Sequence, residues 1–137
     1  MRKCFFFTKT NWDEQPRIRH QLALLLQNQG HQIIFFEKPK NFFSNKDNKH
    51  TGAKFNLTFF RTNELLHHKL RINFMLRYIN ARWEQRRIAR IIDDCCVSED
   101  DVVINFNYDY FFLRNLFPDN KIITIINDDF WCRALLG

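Results

Sequence analysis

The sequence predicts an α/β domain built on an open parallel sheet with helices on both faces. Three observations predict it. Cys4 to Thr8, Ile33 to Phe36, Val102 to Phe106 and Ile122 to Ile126 are short apolar runs, as long as strands buried on both faces. Stretches of helical period separate them. Three glycines and three prolines in 137 residues are too few for a turn-rich sandwich or barrel.

Each element has its own signal. After the first strand, a polar loop from Lys9 to Glu14 leads into a helix, with Asp13 as the expected cap and Pro16 near its start. Ile18, Leu22, Leu25 and Leu26 recur at helical spacing and predict a stripe facing the sheet, with Gly30 as the stop. The second strand follows and ends at Glu37. Residues 40–53 read as a loop, and residues 54–60 alternate as a third strand. From Glu64 to Asp94 the period is helical. One stripe (Ile72, Met75, Leu76, Ile79, Trp83) and a second on a rotated face (Ile88, Ile91, Ile92) predict two helices or a bend near residues 84–87. A fourth strand, a helical turn before Pro118 and a fifth strand complete the order. This alternation makes the expected architecture Rossmann-like, with every strand's carboxyl end on one edge.

Length and composition bound the function. The chain has the size of one domain, and 45% hydrophobic and 16% aromatic residues exclude a disordered segment. Cys4, Cys95, Cys96 and Cys132 show no zinc-ligand spacing, so no metal is expected, and reduced thiols suggest a cytoplasmic setting. No apolar run approaches the ~20 residues of a membrane span, and the N-terminal run is too short for a signal peptide. The net charge of +6 is concentrated. From Lys69 to Arg90 seven basic residues face one acid, Glu84, and this segment alone carries the charge of the whole chain. Arg71, Arg77, Arg82, Arg86 and Arg87, interleaved with Phe74, Tyr78 and Trp83, fit either an anionic membrane surface or a solvated basic face. No nucleic-acid module fits the element order, and no nucleic-acid partner is expected.

In an open parallel sheet, ligands sit beyond the carboxyl ends of the strands. The first such loop offers Trp12 as a flat apolar face. Arg17, Arg19 and His20, in the first turns of the helix, suit an anionic or sugar-bearing ligand. It carries no glycine-rich phosphate cradle, which speaks against a dinucleotide enzyme. Asn105, Asn107 and Asp109 follow the fourth strand, and Asn127, Asp128 and Asp129 the fifth. They could bind hydroxyls, supply a general base, hold Mg²⁺ or simply cap turns.

The segments W-D-E-x-P-R-x-R-H-Q-L-A (Trp12 to Ala23), G-H-x-I-x-F-x-E-x-P (Gly30 to Pro39), D-V-V-I-N-F-N-Y-D (Asp101 to Asp109) and I-I-N-D-D-F (Ile125 to Phe130) occur here in that order. Together they resemble the N-terminal half of bacterial glycosyltransferases of the two-domain GT-B fold, of the kind that builds cell-surface polysaccharide. The resemblance implies a single Rossmann-like, acceptor-binding domain over residues 1–137. A donor-binding half would lie beyond Gly137, so this part alone would be inactive. The implied reaction moves a sugar from a nucleotide-sugar donor to a cell-envelope or lipid-linked glycan. No cofactor is implied for this half, and a peripheral place on the inner face of the plasma membrane is. Trp12, Arg17, Arg19, Asn107 and Asp129 would bind the acceptor, and Asp13, His20 and Asp128 are candidate bases. The rival expectation is a non-enzymatic, flavodoxin-like module docking to an anionic partner.

Overall fold

The structure is a computed structural model, and it describes residues 1–41, 56–66, 68–107 and 109–126. Its elements are β1 (Lys3–Phe7), α1 (Ile18–Asn28), β2 (Gln32–Phe36), β3 (Lys40–Asn41), β4 (Leu57–Phe60), β5 (Asn63–Glu64), a 3-10 turn (His68–Ile72), α2 (Phe74–Asp94), β6 (Val102–Asn105), α3 (Leu113–Leu116) and β7 (Lys121–Thr124). Five strands form an open sheet in the order β4-β2-β1-β6-β7, and every pair is parallel. This is the α/β, Rossmann-like architecture that the alternation of apolar runs and helical stretches predicts. β3 and β5 form a separate two-stranded parallel ladder. The polar composition there gives no sign of it.

A strand's side chains alternate between faces, and here the alternation builds two cores. Cys4 and Phe6 of β1, with Ile33 and Phe35 of β2, face Ala23 of α1. Phe5 and Phe7, with Ile34 and Phe36, face Ala81, Ile88 and Ile92 of α2 and Phe112, Leu113 and Phe117 around α3. Phenylalanines also line up across strands. Phe7, Phe36 and Phe60 stand in register, with ring centroids 4.5 Å apart for the first pair and 5.6 Å for the second. Such offset-stacked rings bury large areas and add a geometric preference to the burial.

Both long helices depart from the sequence expectation. α1 starts at Ile18, not at Asp13, because Asn11 to Glu14 closes a turn of its own: the Glu14 N–H donates to the Asn11 carbonyl, and the Asn11 N–H to Glu14 Oε1. The expected stripe is also rotated. Arg19, His20 and Ala23 are buried, Leu22 and Leu26 are half-buried against the core, and Ile18 and Leu25 are exposed. Gly30, at φ +87, does follow the helix end and gives its N–H to the Gln27 carbonyl. α2 starts at Phe74, with Asn73 Oδ1 accepting from the Met75 N–H, and runs to Asp94 as one helix. Upstream, Asn80 Oδ1 takes the N–H groups of Leu65 and Leu66, which holds that stretch out of the helix. Of the first predicted stripe, Ile72, Met75 and Ile79 are exposed and do not pack on the sheet.

Candidate functional site: the carboxyl rim between β1 and β6

The chain order reverses between β1 and β6. From β1 it runs outward to β2 and β4, and on the other side from β6 to β7. Such a switch point leaves a crevice beyond the two carboxyl ends, because the loops that follow diverge. The two ends are held together by the Phe106 N–H donating to the Phe7 carbonyl at 2.8 Å.

An ion-paired trio spans this point. Asp109, in the loop after β6, receives Lys9 Nζ from the loop after β1 at 2.6 Å and the Arg77 guanidinium from α2 at 2.9 Å. Half-burial pushes the Asp109 carboxyl up, but the hydrogen bonds and charges of Lys9 and then Arg77 outweigh it and hold the group below the ordinary carboxylate range. A lowered folded-state value stabilises the fold above the ordinary range, and that contribution is lost as pH falls through the folded value. At neutral pH Asp109 is therefore a carboxylate engaged by two cations, a poor proton acceptor and a good positioning group. Asn107 is buried, and its Oδ1 accepts from the Asp109 N–H while its own N–H donates to Asn105 Oδ1. These two asparagines shape the loop that presents Asp109.

Arg19 reaches the same point from the other face of the sheet. It is only 7% exposed, and its guanidinium lies 5.6 Å from the centre of the Phe106 ring. The loop after β1 leaves two buried oxygens, Thr10 Oγ1 and Asn11 Oδ1, without a hydrogen-bond partner among the described residues. Buried oxygens without a partner are uncommon and mark a place where a donor could be received.

The other sequence-predicted residues fall elsewhere on this edge. Trp12 packs toward β2 and β4, with its ring about equally close to His20 (5.1 Å), Phe35 and Phe59 (both 5.0 Å), and its backbone N–H donates to Glu37 Oε1. His20 spends both ring nitrogens on the loop. Nδ1 accepts from the Arg17 N–H at 3.0 Å and Nε2 meets the Asn11 carbonyl at 3.1 Å, so the pattern assigns the proton to Nε2. Arg17 and Asp13 are exposed, Arg17 as the residue that caps α1. Asp128 and Asp129 lie outside the described residues. Among the arginines of the basic segment, Arg82 and Arg86 are exposed, Arg77 turns to Asp109 and Arg87 covers the Trp83 ring at 4.9 Å. The side chain of Arg71 is outside the described set.

Two further polar groups support the rim and carry no clear sequence signal. Glu37, buried after β2, joins Arg61 Nε and a terminal guanidinium nitrogen, both at 2.9 Å. Tyr110 is buried between the rim loop and α2, where its hydroxyl bonds with Thr62 and Glu84. Burial first, and then the Glu84 charge, pushes the Tyr110 phenol well above its ordinary value. A raised folded-state value stabilises the fold below the ordinary phenol pKa of about 10, and that stability is lost as pH rises through the folded value. In an ultraviolet difference titration, Tyr110 should therefore ionise only together with alkaline unfolding, as a step missing from Tyr110→Phe. A phenolate signal at Tyr110 with circular dichroism unchanged would contradict the placement.

Among the described residues no helix is long and apolar enough to cross a membrane, and no group of three or more His, Cys, Asp or Glu could hold a metal ion. Comparison of the chain with protein-family models, with curated proteins and with solved structures returns no match.

Proposed function

We propose that the chain is the acceptor-binding half of a glycosyltransferase that moves a sugar from a nucleotide-sugar donor to a cell-envelope or lipid-linked glycan acceptor. The observation that carries the reading is the switch point itself. Lys9, Asp109 and Arg77 meet there with Asn107, and Arg19 comes within reach of the end of β6. Cations held by a carboxylate, on a loop shaped by buried amides, suit a hydroxyl-rich, anionic ligand: the cations take its phosphate or carboxylate, and the carboxylate takes its hydroxyls. Neither loop at this point contains a glycine, so the backbone has no close cradle for a pyrophosphate. Nucleotide-sugar binding is accordingly assigned to a second half, and this chain by itself should not turn over.

A titration of the 137-residue chain, followed by amide chemical shifts, tests this. A panel of anionic oligosaccharides should shift the signals of Lys9, Asn107 and Asp109, and nucleotide sugars should shift none. Micromolar nucleotide-sugar binding to this chain, or no response to any glycan, would overturn the assignment.

One observation favours a second reading, a non-enzymatic module that docks to an anionic partner. Of the candidate bases within the described residues, His20 has both ring nitrogens committed to backbone, and Asp13 is exposed and takes no part in the ion-paired trio. A rim that offers no free candidate base among the described residues suits attachment better than chemistry. Glycan binding without transfer, in any pairing with a donor-binding partner protein, would favour this second reading.

A further inference from the structure

We propose that the 3-10 turn and the first half of α2 form a docking surface for an anionic lipid bilayer. This surface is separate from the crevice and stands under either reading of it. Ile72, Phe74 and Met75 are 91%, 82% and 68% exposed, and Leu70, Tyr78 and Ile79 are exposed beside them. Phe74, Met75, Tyr78 and Ile79 are spaced to lie on one face of the helix. Large apolar side chains gathered this way are not the scattered exposure of an ordinary surface.

The charges around the patch select its partner. Farther along the same face the exposed residues become Arg82, Arg86 and Arg90, each a helical turn from the last. The only acid between Lys69 and Arg90 is Glu84, which is buried under Tyr110, so every charge this segment exposes is positive. An apolar end continued by a row of arginines is the chemistry of a helix set into a headgroup layer. The apolar turns enter the acyl boundary, and the guanidinium groups lie among the phosphates. A second copy of the chain could cover the apolar turns, but from Lys69 to Arg90 the same face exposes no acid that would pair with the arginine row. Nucleic acid would use the arginines but has no use for the aliphatic Ile72, Met75 and Ile79.

The position of the helix adds a consequence. Its start is tied to the rim by the Arg77–Asp109 pair, and its end lies by the start of β1, where Lys3 Nζ donates to the Cys96 carbonyl. The exposed apolar turns therefore stand on the carboxyl edge of the sheet, and docking brings the β1–β6 crevice to the lipid surface. A ligand carried on a lipid would reach it from there.

Vesicle sedimentation of the 137-residue chain tests the proposal, with circular dichroism to show that each variant is folded. At about 0.1 M salt the chain should sediment with vesicles of phosphatidylcholine and phosphatidylglycerol but not with phosphatidylcholine alone. The Arg82→Gln/Arg86→Gln pair should weaken binding by about fivefold per arginine. The Ile72→Ser/Phe74→Ser pair should weaken it by about tenfold or more, since each residue loses its apolar contact. The glycan titration reads the crevice and this assay reads the helix face, so either can fail without the other. Absence of binding to anionic vesicles, equal binding to neutral ones, either variant pair binding like the parent chain, or tighter binding to a nucleic-acid duplex than to the vesicles would each overturn it.

Discussion

Replacing Phe7 by alanine should remove about 3–5 kcal/mol of stability, seen as a large drop in the urea midpoint at unchanged slope. Phe7 is fully buried, stacks on Phe36 and meets Tyr110 and Phe117 edge-on at 6.1 and 5.9 Å. Its loss opens a cavity between the sheet, α2 and α3, bounded by strand backbone that cannot collapse into the space. A domain of this size has only about 5–15 kcal/mol in total, so the variant should be marginal at room temperature. The contrast is Phe111→Ala. That ring is mostly exposed, and its loss should change stability by less than about 0.5 kcal/mol. Similar midpoints for the two variants would mean that the ring ladder does not hold the two layers together.

The second large effect lies at the Glu37–Arg61 pair, whose side chains are 5% and 12% exposed. Arg61→Ala should cost about 3–5 kcal/mol, because it leaves a carboxylate in a place that water scarcely reaches. Adding Glu37→Gln to that variant should restore part of the loss. A neutral amide needs no counter-charge, and its oxygen can still accept from the Trp12 N–H that Glu37 Oε1 now receives. A double-mutant cycle by urea denaturation measures the coupling. Additive costs would show that the two groups do not depend on each other. Because Glu37 anchors the Trp12 backbone, loosening of the loop after β1 in the single variant should accompany the loss.

β1 and β2 were legible because burial on both faces leaves an unbroken apolar run, and Phe5-Phe6-Phe7 and Ile33-Ile34-Phe35-Phe36 allow little else. The run from Ile122 to Ile126 carries the same signal, yet its strand ends at Thr124 and leaves Ile123 and Ile126 exposed. The end of α1 was legible for a similar local reason, since Gly30 alone takes the left-handed turn without strain. The starts of both helices were not legible. Whether Glu14 joins a helix or closes a turn with Asn11 depends on His20, whose ring meets the Asn11 carbonyl and packs on Trp12, and Asn80 holds Leu65 and Leu66 from fifteen and fourteen residues away. The stripe from Ile72 to Trp83 has a correct helical period, but periodicity does not say what a face meets, and here much of it meets no other element among the described residues. At the rim, Arg17, Arg19, His20 and Asn107 were legible as residues near strand ends. So was Asp109, but its pairing with Lys9 and Arg77 was not, because those three residues are joined only by the order of the strands.

The uniformity of β1 has a cost that its neighbours must meet. With phenylalanine at three successive positions, sliding the strand by one residue exchanges the two cores yet still buries aromatic rings on both sides, so oily packing by itself scarcely chooses between alignments. The choice falls to polar clasps at either extremity: Asp101 Oδ1 grips the Lys3 N–H at one, and Thr8 sends both its N–H and its hydroxyl toward the Phe36 carbonyl at the other. Two small hydrophilic residues thus set the alignment of the described strand richest in phenylalanine, and with it the height at which Lys9 meets Asp109.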